Sequence, residues 1–224
     1  MSEIKNMEPW AGHSMAEVER FIKKQLRVLN GEFVDLGLPS GRLWASCNLG
    51  ANAPEEAGLY FMWGDIVGHT AEEGFNFEWG NGWDSTTKKF DPISNYGKSN
   101  GAQVTTDIPD DPMYDAARYM LGEGAHLPSL GDCIELNTFC SSTWTTKNSI
   151  NGRELTGPNG NKIFLPAAGY CVGDSLDGVD SDGYYWQSTL FSAESAGCLY
   201  FDDGSVAPAD TYGHCCGCSV RPVM

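Results

Sequence analysis

Hydrophobic positions along the chain change period several times. Residues 14–29 follow a helical period: Ser14 and Glu17 form an S-x-x-E capping box, and Val18, Phe21, Ile22, Leu26 and Leu29 make one apolar stripe that Asn30-Gly31 ends. From residue 33 the pattern is one of short strands and turns. Phe33 to Leu36, Leu43 to Cys47 and Leu59 to Trp63 read as strands, separated by the turn Pro39-Ser40-Gly41 and an acidic loop around Pro54. Their aromatics Trp44, Tyr60, Phe61 and Trp63 are expected in the core. Residues 66–112 are rich in Gly, Asn, Asp, Thr and aromatics without a clear period and read as a long loop, in which Trp79, Trp83 and Tyr96 anchor the loop or stack on sugars. Two short helices follow. Met113 to Leu121 puts Met113, Ala116, Ala117 and Met120 on one face, and Ser129 with Asp132 caps a helix carrying Ile134, Leu136 and Phe139. Strands return over 143–172, with Gly157 to Asn161 as a hairpin turn into Ile163, Phe164 and Leu165.

The last forty residues combine a patterned frame with unpatterned filling. Tyr184, Trp186 and Ser188 alternate on one face, and Leu199, Phe201 and Val206 flank the turn residues Asp202, Asp203 and Gly204, which predicts two strands joined by a hairpin. Ser192 to Cys198 and Ala207 to Cys216 have neither helical nor strand period and read as surface loops. Residues 195–223 also contain no Lys, Glu, Gln, Trp or Met, whereas residues 1–194 contain 38 of them. At that rate about six are expected in a stretch of this length.

The segments FVDLGLPSGRLWASCNLGA, GLYFMWGD, GPNGNKIFLPAAGY, GYYWQST and the terminal GCSVRPV resemble a paralogous domain family abundant in Bacteroidetes and Fibrobacter. The resemblance covers roughly residues 32–223. It implies an α+β, C-type-lectin-like fold with short antiparallel strands, two short helices and long loops, here preceded by a helical segment at residues 1–31. Where the family has a Trp-Arg-x-Pro-Thr motif before its second helix, this chain has His126-Leu127-Pro128-Ser129. The same fold hosts formylglycine-generating enzymes and the variable proteins of diversity-generating retroelements, so the fold alone does not assign a function.

In those retroelements, as the resemblance implies, error-prone reverse transcription randomises adenines in Asn-type codons. The products include Cys, Ser, Gly, Asp, Ala, Tyr and His, and exclude the five types missing from residues 195–223. The resemblance therefore implies a variable region at about 186–223. Its ligand-binding positions are Phe191, Ser192, Ser195, Gly197, Cys198, Tyr200, Ser205, Ala207, Ala209, Asp210, Thr211, Tyr212, Gly213, His214, Cys215 and Cys216. Glu194 departs from the pattern and is expected to be fixed. Half of the eight cysteines lie in this stretch, where a fixed sequence seldom exposes a thiol. Tyr, Ser, Gly and Asn suit a paratope, and stability is expected to be insensitive to Asp210, Tyr212 and His214.

Charge and motifs narrow the rest. A formal charge of −16 repels phosphate backbones and anionic lipid, so neither nucleic acid nor membrane insertion is expected. The start MSEIKNMEPWAGHS has no apolar run of the secretory kind, which predicts synthesis in a cytosol and reduced thiols. His214, Cys215, Cys216 and Cys218 are too close in sequence for an easy tetrahedral zinc site, and the aspartates of DSLDGVDSDG miss the EF-hand spacing, so no metal or other cofactor is expected. Asp65 reads as a turn residue and His126 as a packing residue. Cys215 and Cys218 lack an adjacent base or activating cation, and no Ser-His-Asp or phosphate-loop motif occurs, so no enzyme activity and no catalytic residue is predicted. The segment EPWAGHSMAEVERFIKKQL is similar to N-terminal segments of tail-associated proteins of Bacteroides phages, which implies a virion-associated adhesion protein. Its helix either docks on its own domain or assembles subunits, giving a homo-oligomer such as a trimer. The expected partner is a protein or glycan on a bacterial cell surface; a fixed adhesin or carbohydrate-binding module of the same fold is the alternative.

Overall fold

The computed structural model describes residues 33–66, 68–70, 83–84, 89–90, 106–108, 112–172, 175–192, 195–214 and 216–224. The helix expected over 14–29, the assembly it implies, and most of the 66–112 loop lie outside them. The described chain is a mixed α+β protein, mostly strands with few helices. β1 (Phe33–Asp35) and β2 (Leu43–Ala45) form one antiparallel pair, and β3 (Trp83–Asp84) and β4 (Lys89–Phe90) another. Helices α1 (Ala116–Leu121) and α2 (Leu130–Phe139) come next. β5 (Ser141–Lys147), β6 (Ile150–Thr156) and β7 (Lys162–Pro166) make a three-stranded antiparallel sheet. β8 (Ala168–Val172), β9 (Ser175–Val179), β10 (Gly183–Leu190), β11 (Ser195–Phe201) and β12 (Val206–Gly213) make a five-stranded sheet in the order β12-β11-β10-β8-β9. Among the described residues no helix is long and apolar enough to cross a membrane.

The capping box read from Ser129 and Asp132 is present. The Ser129 side chain accepts from the Asp132 amide, and Asp132 accepts from the Ser129 amide at 2.8 Å. The apolar face of α2 differs from expectation: Cys133 and Leu136 are buried while Ile134 and Phe139 stay exposed. α1 is shorter than predicted because Asp115 caps it, accepting from the Arg118 amide, which leaves Met113 outside the helix and exposed. The expected core aromatics Trp44, Tyr60, Phe61 and Trp63 are all buried.

The two stretches read as loops near the C-terminus are largely strands. β11 takes in Ser195 to Cys198 and β12 takes in Ala207 to Gly213. Alternation is missing from β11 because it runs between β10 and β12 with both faces covered, so Ala196, Gly197, Cys198 and Leu199 are all buried. Its small residues answer to close neighbours. A Cβ on Gly197 would lie 2.4 Å from Oε1 of the buried Gln187, whose Nε2 is tied to the Pro208 carbonyl at 2.6 Å. On β10, Gly183 pairs with Phe201 and lies under its ring, where a Cβ would meet Cζ at 2.1 Å. Gly183→Ala and Gly197→Ala should each destabilise the fold by roughly 1–3 kcal/mol through overpacking, read as a lowered melting temperature. Unchanged melting would place these side chains elsewhere.

The last residues of the chain close the molecule. Cys218 exchanges both backbone hydrogen bonds with Phe61, Gly217 does so with Cys171, Val223 with His126 and Met224 with Leu43. The Trp186 amide donates to Ser219 O and the Ser219 amide to Tyr184 O, so this segment also runs parallel to β10. Between them sits Arg221, 1% exposed. Its Nε donates to Asn48 Oδ1 at 2.9 Å, Nη1 to the Ala45 carbonyl at 3.0 Å and Nη2 to the Phe164 carbonyl at 2.8 Å. One side chain thus joins the segment after β2, the three-stranded sheet and the C-terminus.

Candidate functional site

The five-stranded sheet has two chemically different faces. Tyr185, Leu199 and Phe201 point into one core with Leu136, Leu155 and Leu165; Trp186, Ala196 and Cys198 point into the other with Phe61, Trp63 and Cys218. At the margin of the second core, four half-buried tyrosines from four strands meet. Tyr184 of β10 stands directly opposite Tyr200 of β11, Tyr212 of β12 opposite Ala196, and Tyr170 of β8 opposite Asp177. Ring centroids lie 5.1 Å apart for Tyr184 and Tyr200, 4.9 Å for Tyr184 and Tyr212, 4.8 Å for Tyr170 and Tyr184, and 5.0 Å for Tyr170 and Tyr212. Tilted and edge-to-face contacts of this kind hold aromatic rings in fixed orientations.

Carboxylates surround these rings. The Tyr200 hydroxyl donates to Asp182 Oδ1 at 3.0 Å and Asp202 Oδ2 at 2.9 Å. Asp202 in turn builds the β11–β12 turn, its Oδ1 accepting from the Gly204 and Ser205 amides at 2.8 and 2.6 Å. The Tyr200 hydrogen bond, followed by those of the turn, holds the Asp202 carboxyl below its ordinary value, while burial and the two acidic neighbours push the Tyr200 phenol up. Both stay in their ordinary charge states at neutral pH. Asp177 is the exposed cross-strand partner of Tyr170, and Asp210 is exposed two residues before Tyr212.

Fifteen of the sixteen residues implied by the resemblance are divided among four places. Tyr200, Asp210 and Tyr212 belong to the tyrosine face, with Ala209, Thr211 and Gly213 along the edge strand β12. Ser205 lies in the β11–β12 turn and Ala207 near the start of β12, paired with Tyr200. Phe191, Ser192 and Ser195 form the turn at the other end of β11, with Phe191 70% exposed and the Ser192 and Ser195 hydroxyls 2.7 Å apart. Gly197, Cys198, His214 and Cys216 are buried, which corrects the expectation of solvent-facing positions. Cys215 lies outside the described residues.

His214 departs most from expectation. Its ring stacks on Trp63 at 4.5 Å with an interplanar angle of 17°, only 4% of the residue is exposed, and Nε2 is buried without a hydrogen-bond partner. Burial pulls its pKa down to about 4, against a smaller opposing effect from its hydrogen bond to the Ser195 backbone. It is therefore a neutral core residue at pH 7, and stability cannot be indifferent to it. The thiols are similar. Cys198 is 1% exposed and Cys218 fully buried, and burial pushes the Cys218 thiol well above its ordinary value. Buried in the core, the described cysteines of this stretch do not support the exposed thiols that the sequence suggested.

Among the described residues no group of three or more His, Cys, Asp or Glu side chains is placed to hold a metal ion. Asp65 is buried and accepts from the Gly68 amide at 3.1 Å, as a turn residue does. His126 packs against Arg42, with Nε2 and Nη1 3.0 Å apart. Sequence reasoning missed Tyr170, Tyr184, Asp177 and Asp182 as site residues. One signal was available: residues 163–220 contain no Lys or Arg and eight acidic residues. Comparison of the chain with protein-family models, with curated proteins and with solved structures finds no match.

Proposed function

We propose that this chain is a ligand-binding protein of the receptor-binding or adhesion type, with a C-type-lectin-like fold, whose displayed surface is generated by a diversity-generating retroelement. A phage tail or a cell surface would carry it. The observation that carries this reading is the absence of Lys, Glu, Gln, Trp and Met from residues 195–223, the five types that randomised Asn-type codons cannot yield. Its physical support is a rigid frame, fixed by the closing C-terminal segment, that presents Tyr200, Asp210 and Tyr212 beside Tyr170 and Tyr184. Rigid tyrosines with short polar neighbours provide contact area at low entropic cost.

A specific observation favours the second reading, a fixed adhesin or carbohydrate-binding module. Gly197, Cys198, His214 and Cys216 sit in tight buried places that tolerate few substitutions. The two readings part at the DNA immediately downstream of the gene. Retroelement diversification requires a near-copy of the segment encoding residues 186–223, beside a reverse-transcriptase gene. We expect its adenine differences at codons for exposed and half-buried positions such as Ser192, Ser195, Tyr200, Ala209, Asp210, Thr211 and Tyr212. Codons 197, 198, 214 and 216 should match the gene. Absence of the repeat hands the lead to the fixed adhesin.

A further inference from the structure

We propose that the tyrosine face recognises a basic protein surface, its rings and carboxylates receiving Arg or Lys side chains. This inference rests on the ligand-binding reading and adds the chemistry of the ligand. Four features lead to it. First, tyrosine ring faces are negative and attract guanidinium and ammonium groups. Second, Asp177, Asp182, Asp202 and Asp210 surround these rings, and no ion pair joins any of them to a base among the described residues. Third, residues 163 to 220 contain eight acidic residues and no Lys or Arg, so this stretch brings no positive charge of its own to repel a cation. Arg153 touches Asp202 through the backbone carbonyl, from the side of Phe201 and Val206, and its Nη1 turns away to Ser142. Fourth, the rings come from β12, β11, β10 and β8, three strand spacings that total about 14 Å. That width suits a patch of protein surface better than one small cation.

Charge explains why none of the described residues fills such a site. Clustered carboxylates with no counter-charge raise the local negative potential, and a partner bringing cations relieves it while steering its own approach. Tyr200 also spends its hydroxyl on Asp182 and Asp202, which leaves its ring face as the remaining contact surface.

The test uses the full chain and a fluorescein-labelled nona-arginine peptide, with anisotropy read at low and high salt. Binding that weakens with salt is expected. Tyr170→Leu, Tyr212→Leu and the Asp177→Asn/Asp210→Asn pair should each weaken it about tenfold, whereas Tyr212→Phe should retain most of it. Glu56→Gln/Glu123→Gln, a charge-matched pair on exposed residues elsewhere in the chain, should change it less than about twofold. Melting curves of every variant separate lost contacts from lost folding. Equal weakening by the Glu56/Glu123 pair would reduce the effect to net charge and overturn the proposal. So would absence of peptide binding, or binding of a neutral oligosaccharide such as maltotriose on the same tyrosines. These results are independent of the downstream DNA. A repeat without peptide binding removes only the cationic ligand, and peptide binding without a repeat makes the protein a fixed binder of basic surfaces.

Discussion

Arg221→Met is expected to remove about 3–5 kcal/mol of stability, close to the whole margin of many domains. The loss does not come from a broken ion pair, since the three acceptors of Arg221 are all neutral oxygens: Asn48 Oδ1 and the carbonyls of Ala45 and Phe164. Methionine fills similar space but leaves those oxygens dry and without donors, and each buried unsatisfied acceptor costs about 1–3 kcal/mol before relaxation. The rest of the network would loosen with them. Asn48 Nδ2 donates to the Ala57 carbonyl and the Tyr185 hydroxyl, and that hydroxyl donates to the Pro166 carbonyl at 2.7 Å. Arg221→Lys should recover only part of the loss, because a single ammonium cannot span acceptors on three segments. Urea denaturation followed by tryptophan fluorescence measures both variants. A shift below about 1 kcal/mol for the Met variant would show that the three carbonyl and amide contacts are not what joins these segments.

Acid should destabilise the protein through His214, in a window set by burial. The unfolded imidazole titrates near 6.5 and the folded one at about 4. Between these values the unfolded chain takes up a proton that the folded chain refuses, so stability is complete above pH 6.5 and falls as pH drops, with the loss complete near pH 4. The difference of about 2.5 pH units corresponds to about 3 kcal/mol. Carboxyls act in the same solution with both signs, Asp202 and Glu55 among those whose pKa is lowered. Burial raises the Asp115 pKa and so favours the folded state in acid, whereas hydrogen bonds from Ser129 and the nearby Arg42 outweigh burial to lower that of Asp132. His214→Phe keeps a ring on Trp63 and leaves these carboxyls in place. The difference in unfolding free energy between wild type and variant, measured from pH 7 down to 4.5, therefore isolates the histidine. A pH-independent difference would mean that the imidazole titrates normally and is open to water.

How legible these features were depended on whether a residue has one chemical setting or two. The capped start of α2 could be read because Ser129 and Asp132 satisfy each other locally, and the core aromatics because a buried Trp or Phe in a strand has few alternatives. β11 could not be read. A strand covered on both faces loses its alternation, and Gly197 is small because of Gln187, a neighbour on another strand whose presence nothing in the local sequence announces. The same limit hid half of the tyrosine face. Tyr200 and Tyr212 fall within the compositionally biased stretch, but Tyr170 and Tyr184 join them only through sheet order and register. His214, Cys198 and Cys216 misled for a related reason: reactive side chains in a stretch rich in small residues look exposed until the layer above them is known.

The closing role of the C-terminal segment extends to the order of events during synthesis. Residues 217–224 are made after every strand described above, yet they complete ladders with Leu43, Phe61 and His126, partners translated long before. Such long sequence separations delay final assembly and keep the earlier strands without their neighbour until this segment is made. A chain that terminates early, anywhere within β11 or β12, lacks the piece that joins its two cores. It would be left open to proteolysis, so the fold forms only in copies that extend through residues 217–224.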